Sequence, residues 1–151
     1  MKKKYKIFAT LSFLLIASIP FIAAGSSGYG YYLDFASLLL VWGITFLGLL
    51  SVFGWHGISS AFETALQDHP QKEDAKRGKT VFEAMEKMLI TSGVFGMLIG
   101  LIALLRYMKP ETQKGDFERG FSVAILVIVY ALITALVVTI PLKARCKYFS
   151  E

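Results

Sequence analysis

Only one cysteine, Cys146, and two histidines, His56 and His69, occur in the 151 residues. A lone thiol forms no intramolecular disulfide, and its neighbours Lys143, Arg145 and Lys147 fit a reduced thiol on a cytoplasmic tail. Neither histidine has cysteine or carboxylate companions at ligand spacing, so no metal site is expected and both read as surface or interface side chains. The chain also lacks a Ser/His/Asp or Cys/His set suited to nucleophilic catalysis, and no glycine-rich phosphate cradle follows a strand. These absences argue against an enzyme and leave no catalytic residues and no cofactor to assign.

What the chain has in abundance is apolar side chains, 55% of the total, above the 45–50% or so of a soluble domain. Lipid must therefore be part of its solvent. The net charge of +5 does not point to nucleic acid, because the basic residues sit at the edges of apolar runs rather than in a stripe interleaved with exposed aromatics.

The expected fold is all-α, a single polytopic membrane domain over 1–151 with four transmembrane helices at about 7–24, 33–55, 88–107 and 121–142. The first run follows Lys2, Lys3, Lys4 and Lys6 and is just long enough to span. With Ala23, Ala24, Gly25 and Ser26 behind it, it also fits a cleavable leader, which stays open as the alternative to a span. A Gly/Ser/Tyr connector over 25–32 forms a short turn at the membrane surface, and Trp55-His56 anchors the end of the second span. Between 57 and 87 the chain is polar. Its centre, Asp68 to Lys79, is read as a solvated loop with Pro70 and Gly78 as breakers. The flanks read as helical extensions carrying Ile58, Ala61, Phe62 and Ala65 on one side and Val81, Phe82, Met85 and Met88 on the other. Pro110 and Gly115 mark the last connector, 109–119, as a turn.

Lysine and arginine placement sets the orientation. With the amino terminus inside, the cytoplasmic face holds the four of the leading stretch, the five between 57 and 87 and the three of the tail. Only Arg106, Lys109, Lys114 and Arg119 lie outside. Both termini and the 57–87 segment are thus expected in the cytoplasm.

Within the spans no ionisable side chain occupies a middle position, so this chain carries no proton on a carboxylate of its own. Gly93, Gly96, Gly100 and Ala103 recur at steps of three or four and let another backbone approach, either a helix of the same chain or a neighbouring subunit. Tyr130 and Thr134 lie one turn apart in the fourth span. Pro141, near its inner end, removes a helical hydrogen bond and marks a hinge or simply a bend.

In this order, these residues resemble the MotA/TolQ/ExbB family of ion-driven stator subunits. Asp34, Ser37, Gly43 and Thr45 follow the MotA-type pattern around the second span. The third-span run from Gly93 through Gly96 and Gly100 to Leu101-Ile102 follows the family's glycine rhythm, and Gly120, Tyr130, Ala131, Ala135 and Pro141 track the fourth. The resemblance implies a homo-oligomer, a pentamer, around a single-span MotB/TolR/ExbD-like partner whose membrane aspartate carries the ion, in a bacterial inner membrane. It implies an ion path lined from the third and fourth spans, at Thr91, Ser92, Tyr130 and Thr134, with the first two spans outside. Several positions depart from the pattern. Ile90 replaces a proline, Met97 and Ile128 replace hydroxyl residues, and Ala131 replaces a glycine. Loss of hydroxyl ligands favours a second reading, a non-conducting scaffold or assembly protein of the same architecture. The 57–87 segment is also short for a domain that pushes on a rotor.

Overall fold

The structure, a computed structural model, describes residues 34–107 and 114–151; the expected span at 7–24, the 25–32 connector, the first residue of the expected span at 33–55 and residues 109–113 of the last connector lie outside the described residues. Asp34 starts the first described helix. Its carboxylate accepts hydrogen bonds from the Ala36 N–H at 3.3 Å and from the Ser37 hydroxyl, satisfying donors that a helix N-terminus leaves open. Helix α1 then runs Phe35–Leu66, α2 Lys72–Tyr107 and α3 Lys114–Thr134. A π-helical turn, Ala135–Thr139, joins α3 without a break to α4, Ile140–Ser150. All described residues other than Asp34, the 67–71 turn between α1 and α2, and Glu151 are helical.

Three of these helical rods are long and apolar enough to cross a membrane. Their length exceeds what a bilayer needs: α2, at 36 residues, is about 54 Å long against a hydrocarbon core of about 30 Å. The surplus lies at the end carrying the α1–α2 turn, where α1, α2 and α4 pack together. Leu39, Leu47, Leu98, Ile102, Leu105 and Leu132 point outward from the apolar stretches, as lipid-facing or subunit-facing side chains do.

Gly54 divides α1. Its φ of 64° and ψ of 173° lie outside the helical region, and the two halves of α1 meet there at a kink. Only glycine takes that conformation without a steric penalty from Cβ. The kink lies beside Trp55, where the apolar run ends, and it turns the 55–66 half of α1 onto α2.

The expected loop over Asp68 to Lys79 is corrected by the structure: the turn is confined to 67–71 and α2 begins at Lys72. Pro70 does end the turn, but Gly78 is helical. The reason is a buried stripe at Ala75, Gly78, Val81 and Phe82, continuing through Met85 to Leu89 at helical spacing, with the charges on the other face. Gly78 is tolerated because the space for a side chain is taken: a Cβ there would stand 3.1 Å from Cys146 Sγ and 3.7 Å from the Ala61 carbonyl oxygen. Gly115 is likewise helical, inside the first turn of α3.

Two clusters make the core. Nearer the apolar ends, Val41, Leu89, Val127, Ala131 and Ala135 pack together. Beyond the kink, Ala61, Ala65, Val81, Phe82 and Cys146 form the second, with the Phe62 and Phe82 rings edge to face at 5.2 Å. Met85 touches both clusters. The second is tied from outside by the Glu86–Lys143 ion pair between α2 and α4, and by Arg145, whose guanidinium donates to the Gln67 carbonyl at 2.7 Å. The Cys146 thiol is 1% exposed, and burial pushes its pKa up against the opposing pull of Arg145. Native protein is therefore expected to resist maleimide near neutral pH and to react once unfolded. Rapid labelling of folded protein would contradict this packing.

Candidate functional site

The α2–α3 contact is built from small residues on both helices, which run antiparallel. A Cβ on Gly93 would stand 2.5 Å from Ala131 Cβ. One on Gly96 would stand 2.6 Å from Val127 Cγ1 and 2.8 Å from Leu40 Cδ2, and one on Gly100 would stand 3.0 Å from Ala124 Cβ. At the far end the relation inverts, with Gly120 of α3 accommodating Leu104 of α2. The three glycines thus face α3 of their own chain. Ala103 lies off this contact and is exposed.

This close approach brings a series of polar side chains together at the α1–α2–α3 junction. The Asp34 N–H donates to the Tyr130 hydroxyl at 3.0 Å. One turn along α3, the Thr134 hydroxyl donates to the Tyr130 carbonyl at 2.8 Å and accepts from the Trp42 indole N–H at 3.0 Å. Deeper in, the Thr45 and Ser92 hydroxyls lie 3.2 Å apart, both buried. Ser92 donates to the Leu89 carbonyl at 3.0 Å and lies 3.4 Å from that of Val41. Thr45 and Thr134 share the wall of an open cleft of about 230 Å³, lined also by Trp42, Phe46, Leu49, Met85, Leu89 and Val138. The Glu86–Lys143 pair lies beyond it.

Of the residues expected to line a path, Tyr130 and Thr134 both engage α1, through Asp34 and Trp42 respectively. Ser92 reaches the same junction through Thr45. Thr91 does not: adjacent residues on a helix point about 100° apart, and Thr91 is exposed while Ser92 is 2% exposed. Within one chain Thr91 is separated from the other three. Two polar residues of this junction, Trp42 and Thr45, lie on α1 and are not evident from α2 and α3 alone. The signal for Thr45 is the polar face of α1 at Asp34, Ser37 and Thr45. Trp42 reads as an apolar residue until its N–H is placed against Thr134.

Chemically, this is a set of neutral hydroxyl, indole and carbonyl groups in an apolar setting. Such oxygens can replace part of the hydration of a small cation or hold water for a proton; the carboxylate among these residues, that of Asp34, caps the end of α1 and does not lie in the middle of a span. The stretches 35–55, 88–105 and 120–142 contain no Asp, Glu, His, Lys or Arg.

Helices long enough to span, small-residue packing between them and a buried hydroxyl junction define a multi-pass membrane protein of ion-channel type. The chain belongs to the MotA/TolQ/ExbB proton channel family, whose signature matches residues 55–151. The match begins one residue after the Gly54 kink and takes in both helices of the glycine contact. Subunits of this family act in ion transport rather than as known enzymes, and work in membrane complexes with single-span partners. No curated protein matches the chain.

Proposed function

We propose that this chain is the ring-forming subunit of an ion-driven motor or energy-transducing complex, surrounding a single-span partner whose membrane aspartate carries the ion. The observation that carries this reading is the combination of a hydroxyl-lined junction with spans that have no charge-bearing group of their own. Such a subunit offers ligands and a path wall, and the titrating carboxylate comes from outside. A bacterial inner membrane, a pentameric ring, and termini and α1–α2 turn on the cytoplasmic side complete the proposal. The orientation rests on the bias of Lys and Arg toward the ends at 1–6, 57–87 and 143–151. Thr91, on the outward face of α2, is placed at a contact between subunits.

Mass measurement of the complex in nanodiscs is expected to give five copies, and a stable monomer in native-like lipid would overturn the ring. Proton flux into proteoliposomes is expected only when a single-span aspartate partner is co-reconstituted. Thr134→Val, which keeps the shape and removes the hydroxyl, is expected to cut that flux roughly tenfold, the equivalent of about 1.4 kcal/mol for one hydrogen-bonding ligand. Unchanged flux would remove Thr134 from the path.

A second reading, a non-conducting scaffold of the same architecture, is favoured by Met97 and Ile128, which stand where the family pattern carries hydroxyls. Ile128 lies against the Gly93 position, with its Cα 3.4 Å from where a Cβ would be. Assembly with the partner but no flux above the partner alone would select this reading.

A further inference from the structure

Past the Gly54 kink, α1 and α2 frame a second cavity, of about 330 Å³. Its wall changes character in a definite order. Phe53, the residue before the kink, and Val81 supply apolar surface on the membrane side. His56 and Ser60 follow on α1, then Arg77 and Asp74 on α2. Because α2 runs toward the membrane from Lys72, Asp74 is the outermost of them. Among the described residues the Ser60 hydroxyl has no hydrogen-bond partner, and neither Arg77 nor Asp74 is in an ion pair, with each other or with another side chain. The depth of the cavity follows from Trp55, which ends the apolar run, is 68% exposed and is of the residue type that sits at headgroup level. Ser60 lies five residues further on, about 8 Å along the helix. Headgroups add about 5–8 Å to each side of the hydrocarbon core, so the cavity opens within their layer.

We propose that this cavity binds the headgroup of a phospholipid in which a phosphate is joined to a primary ammonium, a phosphoethanolamine. The Arg77 guanidinium and the Ser60 hydroxyl donate to the phosphate, the Asp74 carboxylate accepts from the ammonium, and Phe53 and Val81 meet the start of the acyl chains. The order of the wall selects this ligand. Leaving the membrane, such a lipid presents chains, then an anion, then a cation; the cavity presents apolar surface, then Arg77, then Asp74. Arginine matches phosphate through paired, charge-assisted hydrogen bonds. A headgroup ending in a neutral polyol would bring no cation to Asp74, and a trimethylammonium has no N–H to donate to it. The volume is also many times the roughly 30 Å³ of one water, enough for a headgroup. The site depends neither on which side of the membrane this end faces nor on whether the complex conducts.

Native mass spectrometry tests this on the detergent-purified protein offered equal amounts of phosphatidylethanolamine, phosphatidylcholine and phosphatidylglycerol with the same chains. The ethanolamine lipid is expected to bind best, at one per chain. Arg77→Gln should weaken binding of all three lipids about tenfold, the loss of a charge-assisted pair. Asp74→Asn should remove the preference for ethanolamine over choline while leaving choline-lipid binding unchanged, a split that a merely structural residue would not produce. Both variants are expected to keep Cys146 protected from maleimide, which shows that the surrounding helices remain packed. Equal binding of the three lipids by the native chain would overturn the proposal without recourse to any variant. So would displacement of the lipid by equimolar water-soluble phosphoethanolamine, which would make this a site for a soluble ligand. Unchanged lipid binding in Arg77→Gln, with an altered number of copies in the complex, would assign the cavity to a contact between subunits instead.

Discussion

Replacing Gly93 by alanine is expected to destabilise the protein by about 1–3 kcal/mol, the cost of overpacking a close contact. One methyl group does this because its neighbour is attached directly to another backbone. The new Cβ would stand 2.5 Å from Ala131 Cβ and 3.4 Å from Ile128 Cα, and neither atom moves without moving α3. A flexible side chain would yield, as the Met88 thioether can at Gly48, where the nearest atom is its sulfur at 3.0 Å. Gly43 is the control. Nothing lies within 4 Å of its added Cβ, so Gly43→Ala is expected to be neutral or to stabilise by up to about 1 kcal/mol through helix propensity. Thermal melting in nanodiscs measures both. The double variant Gly93→Ala, Ala131→Gly moves the methyl across the contact and is expected to recover most of the loss, whereas additive losses would show that the two positions do not touch. Equal melting of Gly93→Ala and Gly43→Ala would overturn the assigned packing.

The consequence reaches the candidate site because the contact sets its dimensions. Tyr130 and Thr134 lie on α3 and Ser92 is next to Gly93 on α2, so pushing the two helices apart moves hydroxyls that meet α1 at 3.0–3.2 Å. A variant at Gly93 that still assembles is therefore expected to lose function together with stability.

How much of this was readable beforehand differs between the elements. The apolar runs and the extensions were legible because their cause is local: Ile58, Ala61 and Ala65, then Val81 and Phe82, repeat at helical spacing, and all five are buried. The glycine rhythm of α2 was equally visible, but its occupant was not, since α3 and another subunit satisfy the same spacing. The stretch from Lys72 to Lys79 was misread because Gly78 and a dense charge run resemble a loop. Ala75 and Gly78 extend the buried face of α2, and that becomes plain only when Ala61 and Cys146 are seen against it. For the junction, Ser92, Tyr130 and Thr134 were legible as polar residues of their spans, but which side chains pair across it was not. Trp42 and Thr134 are 92 residues apart and Thr45 and Ser92 are 47 apart, so their pairing depends on helix registers that periodicity does not set. Pro141 announced a disturbance. The π-helical turn that precedes it, with Ala135 and Thr139 buried, was not legible from the proline alone.

The kink at Gly54 leads to the second large effect. Alanine there meets no atom within 4 Å, so space would permit it, yet φ 64° with ψ 173° is a conformation essentially reserved for glycine. Two responses are open to the variant. It can keep the kink at a cost of about 1–3 kcal/mol, or it can relax to helical dihedrals and continue α1 straight. A straight α1 swings the 55–66 half away from α2. Ala61 and Ala65 then leave Val81, Phe82 and Cys146, and the Phe62–Phe82 contact is lost. The apolar cluster of Val41, Leu89, Val127, Ala131 and Ala135 lies on the other side of the kink and is untouched. Gly54→Ala is therefore expected to loosen one end of the molecule while the membrane end stays folded. The Cys146 thiol reports this directly, because only the second cluster covers it: maleimide labelling is expected to rise strongly in Gly54→Ala, while Gly43→Ala stays protected. Protection of Cys146 in Gly54→Ala with no loss of melting temperature would mean that the kink is not what holds α1 against α2.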